Sequence, residues 1–157
     1  TKWEISEVSM EAVIRHLCEV VKNDIAEHRH TLSIKLDDHL PAITADKDRI
    51  EQVLLNILTN AVKYTPYGGQ ILIRAAANQT HVAISVRDNG MGIPKEDQPH
   101  LFERFYRVEK SRTTGAGGTG LGLSIAKEIL NLHHGKIRID SVYGEGSDVH
   151  IVLPAAK

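Results

Sequence analysis

Two hydrophobic periodicities alternate along this chain, and their order limits the folds that it can adopt. Apolar residues that recur at helical spacing predict amphipathic helices over residues 9–29, 47–64 and 121–132. Alternating apolar and polar residues predict strands over residues 31–36, 70–76, 81–87, 136–140 and 148–153. The strands at residues 70–76 and 81–87 should pair as a hairpin across residues 78–80. Because no regular strand-helix-strand repeat occurs, the order favours an α+β two-layer sandwich over a doubly wound parallel sheet. We expect a mixed, mostly antiparallel sheet with three helices on one face.

Length and charge exclude several classes of protein. With 157 residues the chain is the size of one domain, residues 1–157, with one core. Its 19 basic and 20 acidic residues give a formal net charge of -1, so no overall field attracts nucleic acid or an anionic membrane. The single cysteine, Cys18, excludes a disulfide framework and falls on an apolar helix face, which predicts a buried thiol. No apolar run approaches the roughly 20 residues that span a bilayer, so we expect a soluble domain of cytosolic type.

A stripe of polar side chains runs along the second predicted helix, for which Asp46 is the expected N-cap. Asn56, Asn60 and Lys63 lie at positions i, i+4 and i+7, within a sector of roughly 60°. Apolar residues occupy the adjoining sector, so the stripe borders the buried face, where a cleft opens. A solvated helix flank is the alternative, although asparagine is a poor helix former. Two amide oxygens suit Mg²⁺ and a lysine suits a phosphate, which indicates a site for a magnesium nucleotide.

A second motif, DNGMGIP at residues 88–94, follows the end of a predicted strand. Gly90 and Gly92 permit positive φ and let a ligand approach the backbone, while Asp88 can accept a hydrogen bond from the exocyclic amine of adenine. An ordinary Asn-Gly turn is the alternative. Periodicity is lost from residue 88 to residue 119, a stretch much longer than the usual connection of about 4–6 residues. A loop of that length indicates a function.

Glycines run directly into the third predicted helix in the sequence GAGGTGLGLS, residues 115–124. Backbone amides exposed at a helix start bind phosphate, and a flexible hinge would need fewer glycines. Spacings similar to Gly-x-Gly-x-x-Gly suggest a dinucleotide-binding fold as a rival. That motif should open a parallel βαβ unit, whereas these glycines follow an irregular loop after two consecutive strands. No Walker A sequence occurs.

With these three motifs in this order, the chain resembles the catalytic domain of bacterial sensor histidine kinases over nearly its whole length. The N box of that family is NILTNAVKY at residues 56–64, and the G1 box is DNGMG at residues 88–92. The F box is FERFYR at residues 102–107, and the G2 box is GTGLGL at residues 118–123. GEGS at residues 144–147 matches the turn before the closing strand. The wording is most similar to kinases of the PhoR and WalK type.

The resemblance implies the Bergerat-type ATP-binding sandwich shared with DNA gyrase and the mismatch-repair ATPases, with a long ATP lid at about residues 93–119. It implies that Asn56 and Asn60 hold Mg²⁺. The residues expected to act in phosphoryl transfer are Asn56, Lys63 and Arg107. The residues expected on the adenine side are Tyr64, Asp88, Gly90, Gly92 and Ile93. The residues expected near the phosphates are Gly118, Thr119, Gly120, Leu121 and Gly122. Phe102 and Phe105 are expected to anchor the lid by packing.

The resemblance also implies what receives the phosphoryl group. The ATPases of the wider family place a water-activating glutamate at the position of Asn56, and its absence favours transfer to an incoming group over hydrolysis. That group would be a histidine on a separate dimerisation domain, from which a response-regulator aspartate is charged. The parent protein would be anchored in the bacterial membrane, with this domain in the cytoplasm and not touching the membrane. A nucleotide sensor without phosphotransfer and a gyrase-type ATPase stay open as alternatives.

None of the nine histidines has the setting of that family's phosphoacceptor. His133 and His134 stand where relatives read His-Gly-Gly, so His134 replaces a glycine and its backbone conformation is in question. We expect both as solvated imidazoles at a helix end rather than as a metal site.

Overall fold

The computed structural model describes residues 2–104 and 122–156. Two short strands belong to a small sheet, β1 (Ile5–Val8) and β3 (Ile43–Asp46). The main sheet is built from β2 (Thr31–Leu36), β4 (Gln70–Ala77), β5 (His81–Asp88), β6 (Lys136–Val142) and β7 (Gly146–Pro154). The helices are α1 (Met10–Val20), α2 (Lys22–Glu27), α3 (Lys47–Tyr64) and α4 (Gly122–Leu132), with a 3₁₀ helix at Gln98–His100.

The main sheet has the order β2-β4-β5-β7-β6, in which only the β2–β4 pair is parallel. One face of the sheet is apolar and carries the core, for example Ile73, Ile84 and Ile151, which are all buried. Buried residues of α1, α3 and α4 belong to the same hydrophobic cluster, so the helices cover this face. The predicted mixed and mostly antiparallel sheet under helices is confirmed.

The first predicted helix is wrong as one continuous element, because it is interrupted at Val21. Ser9 caps α1 by accepting a hydrogen bond from the Ala12 N–H at 3.2 Å, and α1 ends at Val20. The backbone of Val21 has φ -92° and ψ 2°, and α2 follows directly. Leu17, Val21 and Ile25 are all buried. The apolar spacing therefore continues through the interruption, which is why periodicity did not reveal it.

The small sheet is absent from the sequence-based prediction. β1 and β3 pair antiparallel, with Val8 opposite Ile43 and Ile5 opposite Asp46. Three of the four residues of β1 are exposed, so the strand has no apolar alternation to mark it. Backbone pairing with a buried partner strand, rather than its own sequence pattern, makes it extended.

Other boundaries agree with the sequence. Asp46 caps α3 by accepting a hydrogen bond from the Arg49 N–H at 3.2 Å, as predicted. The Asn78 side chain accepts hydrogen bonds from the Thr80 and His81 N–H groups, both at 2.8 Å, and closes the predicted hairpin. Cys18 is buried, and burial raises the pKa of its thiol. Among the described residues, no helix has the length and apolar character to cross a membrane.

The predicted solvated state of His133 is wrong. His133 is buried, and its ring lies 4.8 Å from that of Trp3. Its Nδ1 lies 2.8 Å from the Ile129 carbonyl, and its Nε2 accepts a hydrogen bond from the Asp46 N–H at 3.1 Å. Sequence could not anticipate this, because both Trp3 and Asp46 are distant along the chain. His134 is exposed and has φ 61°, so its backbone takes the left-handed form that glycine would adopt.

Candidate functional site

Helix α3 presents the predicted polar stripe at the border of the core. Asn56, Asn60, Lys63 and Tyr64 are each half-buried. On the adjoining face the helix buries Ile50, Val53, Leu54, Ile57 and Ala61. Apolar packing on one side therefore fixes the rotation of the helix about its axis, and that rotation places both asparagine side chains at the edge of the core.

The turn after β5 folds back onto the end of this helix. The Met91 N–H approaches the Tyr64 carbonyl at 3.4 Å, and the Gly144 N–H donates to the Met91 carbonyl at 2.6 Å. Asn89 accepts a hydrogen bond from the Gln70 N–H at 2.7 Å and donates its own N–H to the Gln70 carbonyl at 3.2 Å. The turn is thus held from α3, from β4 and from the β6–β7 turn.

The two glycines of this turn are required by close packing as well as by any ligand. A Cβ on Gly90 would lie 2.5 Å from the Tyr64 carbonyl oxygen. Gly92 has φ 71°, and a Cβ there would overlap the carbonyl of Val142. Any side chain at either position would therefore push the turn away from α3 or from β6.

A pocket of about 370 Å³ opens where the turn meets α3. Its lining comprises Lys63, Tyr64, Thr65, Pro66, Asn89, Gly90, Met91 and Gly144. The structure therefore brings together Lys63, Tyr64 and Gly90, three of the predicted site residues, from segments that are distant in sequence. Asn56 and Asn60 lie one to two turns earlier on the same helix.

Asp88 stands at the end of β5 in a partly buried position. Burial raises the pKa of its carboxyl above the ordinary 3.8, against hydrogen bonds from the Gly90 and Ser147 N–H groups, which lower it. The Asp148 charge acts in the raising direction, and His30 acts in the lowering direction. The Gly90 N–H lies 2.9 Å from Oδ1. A carboxylate held in this way presents a fixed acceptor to a ligand amine.

The structure also contains supporting residues that the sequence-based site left out. His30 is buried and donates from Nε2 to the Thr65 and Pro66 carbonyls, at 3.0 and 3.2 Å, just beyond the end of α3. Ser147 lies directly opposite Asp88 in the β5–β7 pair. The only sequence signal for Ser147 is its place after the GEGS glycines, and nothing in the sequence marks His30.

Several predicted site residues lie outside the described residues. They are Arg107, Gly118, Thr119, Gly120 and Leu121, together with the lid residue Phe105. Gly122 begins α4. Phe102 is half-buried, with the ammonium of Lys127 from α4 lying 5.0 Å from its ring centre, so the start of the F box contacts α4.

The donor chemistry at α3 fits a nucleotide-bound cation. Asn56 and Asn60 offer neutral amide oxygens one helical turn apart, and oxygen is the ligand atom that Mg²⁺ prefers. In the part of the chain that the structure describes, no cluster of three or more His, Cys, Asp or Glu side chains could hold a metal ion. A nucleotide would supply negatively charged phosphate ligands to such an ion.

A helix-covered mixed sheet with a polar helix stripe facing a glycine turn defines a nucleotide-binding sandwich domain. The chain belongs to the family of histidine kinase-, DNA gyrase B- and HSP90-like ATPases, which matches residues 45–157. Its relatives within that family include sensor histidine kinases. It is 44% identical over 134 residues to the sensor histidine kinase WalK of Bacillus subtilis (strain 168), covering 83% of this chain. The predicted family is confirmed.

Solved structures agree in fold. The catalytic domain of the histidine kinase ThkA has a TM-score of 0.86 and 29% identity, covering 98% of this chain and 99% of that one. ThkA in complex with the response regulator TrrA has a TM-score of 0.80 at 27% identity, over 97% of this chain and 42% of that chain. Full-length ShkA in complex with AMPPNP has a TM-score of 0.85 at 28% identity, over all of this chain and 32% of that chain. The chain spans only 22% of WalK.

Proposed function

We propose that this domain binds Mg-ATP and transfers the γ-phosphoryl group to a histidine on a separate helical domain of its parent protein. The observation that carries the proposal is the meeting of the Asp88 turn with the polar stripe of α3. The pocket at their junction joins Lys63 and Tyr64 to Gly90. A carboxylate acceptor, two amide oxygens and a lysine thus lie along one border of the core, which suits a base, a metal ion and phosphates in turn.

Each residue has a separate part in the proposal. Asp88 accepts the adenine amine, with Tyr64, Gly90, Gly92 and Ile93 around the base. Asn56 and Asn60 hold Mg²⁺, which neutralises phosphate charge when bound. Lys63 lies in the last turn of α3 and contacts a phosphate as a point charge. We assign the remaining phosphate contacts to Arg107, Gly118, Thr119, Gly120, Leu121 and Gly122.

The chain offers no water-activating carboxylate at the position of Asn56, and this supports transfer over hydrolysis. A histidine that attacks the γ-phosphorus needs alignment and charge neutralisation rather than a strong base. The complex of ShkA with AMPPNP supports ATP as the donor, and the complex of ThkA with TrrA supports a response regulator as the final partner. We place the final phosphoryl group on an aspartate of that regulator. We further propose that the parent protein is membrane-anchored and that this domain lies in the cytoplasm.

The test is calorimetric titration of the chain with a non-hydrolysable ATP analogue, with and without Mg²⁺. We expect magnesium-dependent binding that Asn60→Ala weakens by about tenfold, the effect of losing one charge-assisted contact of roughly 1.4 kcal/mol. Gln52→Ala is the matched control, because Gln52 is an exposed amide on the same helix. Equal binding with and without Mg²⁺, or an unchanged Asn60→Ala variant, would contradict the metal assignment.

Turnover separates the proposal from its alternatives. The chain alone should release phosphate no faster than background, and should label a histidine only when the helical domain of its parent is added. Sustained phosphate release by the chain alone would favour a gyrase-type ATPase. ATP binding without phosphohistidine in the presence of that domain would favour a nucleotide sensor.

A further inference from the structure

The end of the sheet nearest the candidate site carries a polar row across three strands. Asp88 of β5 lies opposite Ser147 of β7, which lies opposite Ser141 of β6. All three belong to the face of the sheet that the helices cover. The neighbouring row on the same strands is apolar, with Val86, Val149 and Ile139 in register. Polar groups on a covered face are costly unless they are hydrogen-bonded, so this row needs a structural or functional reason.

Ser141 has more polar contacts than a strand serine requires. Its Oγ accepts a hydrogen bond from the Ile93 N–H at 2.8 Å. The same oxygen lies 3.0 Å from the Gly146 carbonyl and 2.9 Å from Ser147 Oγ. A hydroxyl has one proton, so when Ser141 donates to the Gly146 carbonyl, Ser147 donates to Ser141. Whichever hydroxyl donates, Ser141 links Ile93, the residue after Gly92, to Ser147, which lies opposite Asp88.

Gln98 strengthens this junction from the other side. Its Nε2 donates to the Ile93 carbonyl at 2.9 Å and to the Ser141 carbonyl at 3.2 Å. The peptide groups on both sides of Ile93 are therefore held, the N–H by the Ser141 hydroxyl and the carbonyl by Gln98. Ile93 is half-buried, and its position is fixed by these contacts rather than by regular secondary structure.

Ser141 thus contacts Ile93 directly and is linked to Asp88 through Ser147. Through Ser147, whose backbone N–H donates to the Asp88 carboxylate, it supports the acceptor for the base. Through the Ile93 N–H it supports the backbone that follows the glycine turn. We propose that Ser141 is a positioning residue that sets the distance between Asp88 and Ile93 and so determines selectivity for adenine. This inference rests on the proposed function of the site.

Selectivity follows from rigidity at this point. A fixed Asp88 favours the amine of adenine and repels the carbonyl that guanine presents at the same place. If the Ser141 hydroxyl is lost, the Ile93 N–H loses its acceptor and the carboxylate loses its support through Ser147. The turn can then relax. This relaxation should weaken adenine binding more than guanine binding, because adenine is the better match for Asp88.

The experiment compares Ser141→Ala, Ser141→Thr and the wild-type chain by calorimetry with non-hydrolysable analogues of ATP and GTP. Ser141→Ala should weaken binding of the ATP analogue about tenfold, the size of one lost hydrogen bond, and should weaken the GTP analogue less. Ser141→Thr keeps the hydroxyl and should bind within about twofold of wild type. Ser33→Ala, an exposed serine on the uncovered face of β2, is the control and should change neither affinity.

A second variant guards against a Ser141→Ala protein that does not fold. Gln98→Ala alters a surface 3₁₀ helix rather than the sheet, and should lower the ATP-to-GTP preference about threefold by freeing the Ile93 carbonyl. If Ser141→Ala and Gln98→Ala both bind the ATP analogue as wild type does and keep the same ATP-to-GTP preference, the inference is wrong while the proposed function stands. Equal loss for both nucleotides in Ser141→Ala, without rescue by threonine, would also overturn it, because that result indicates general loosening. No binding by the wild-type chain would instead refute the proposed function.

Discussion

At the scale of one residue, Asp88 combines a proposed binding role with a cost to the stability of the fold. Asp88 is the last residue of β5, and the inward-facing residues before it on that strand, Val82, Ile84 and Val86, are buried and apolar. Burial raises the pKa of its carboxyl, which means that ionisation is less favourable in the folded chain than in water. The two backbone N–H groups offset part of that cost and hold the carboxylate in place.

Asp88→Asn should therefore separate affinity from stability. We expect ATP affinity to fall by about 1–3 kcal/mol, since a disturbed polar partner costs this much, while binding of GTP changes less. Calorimetric titration with both nucleotides checks this expectation. Unchanged ATP affinity would remove Asp88 from the base site.

Asp88→Asn should also change how the stability of the fold depends on pH. Because its pKa is raised on folding, Asp88 binds a proton more tightly in the folded than in the unfolded chain. Ionisation of Asp88 therefore costs stability, and this cost grows as pH rises from 3.8 through the raised folded pKa. Asp88→Asn removes this cost, so its thermal midpoint at pH 7 should be no lower than that of wild type. A clearly lower midpoint would mean that the carboxylate stabilises the turn.

His134 carries backbone strain that its predicted family position already suggested. It lies in the turn just after α4 with φ 61°, where the Gly135 N–H donates to the Leu130 carbonyl at 2.7 Å and closes the helix end. His134→Gly should raise the free energy of unfolding by about 0.5–1 kcal/mol, because glycine adopts this backbone without a Cβ penalty. Urea unfolding measures the change. His134→Ala keeps the Cβ and should give no gain; equal stabilisation by both variants would contradict the backbone explanation.

At the scale of elements, Asp46 is the point where three segments meet. Its carboxylate caps α3, accepts a hydrogen bond from the Glu4 N–H at 2.9 Å and pairs with Arg49, also at 2.9 Å. Its own N–H donates to His133 at the end of α4. Arg49 in turn lies 4.6 Å from the centre of the Trp3 ring. The segment before β1 is thereby attached to the start of one site helix and the end of the other.

Acid should weaken this junction. The hydrogen bond from the Glu4 N–H, followed by contacts with Arg49, lowers the pKa of Asp46 below its ordinary 3.8. The stabilisation is therefore present above pH 3.8 and is lost as pH falls through the lower folded value. Asp46→Asn should show a smaller difference in urea midpoint between pH 6 and pH 3 than wild type. Asp48→Asn, an exposed carboxylate in the same helical turn, is the control; an equal change in both variants would argue against a special role for Asp46.

The polar stripe of α3 could be predicted from the sequence, whereas the residues that surround Asp88 could not. Asn56, Asn60 and Lys63 follow from helical spacing alone, because one helix determines their common face. The contacts of Tyr64 with the Asp88 turn depend on how β4 and β5 return the chain to the end of α3. Ser141 and Ser147 become neighbours of Asp88 only through strand register, which depends on pairing of whole strands.

At the scale of the whole molecule, the sequence by itself determined the type and order of most elements, the inward face of each and the family. Periodicity is local, so it records which side of an element is buried. It could not show that the helix after Ser9 is interrupted, because the interruption preserves the buried spacing. It also could not show that β1 is a strand, because β1 is extended through pairing with β3. Only the tertiary structure decided that His133 is buried against Trp3 and Asp46 and that Ser141 contacts Ile93 and Ser147. Both depend on side chains brought together across long stretches of chain, and such contacts leave no periodic trace in the sequence.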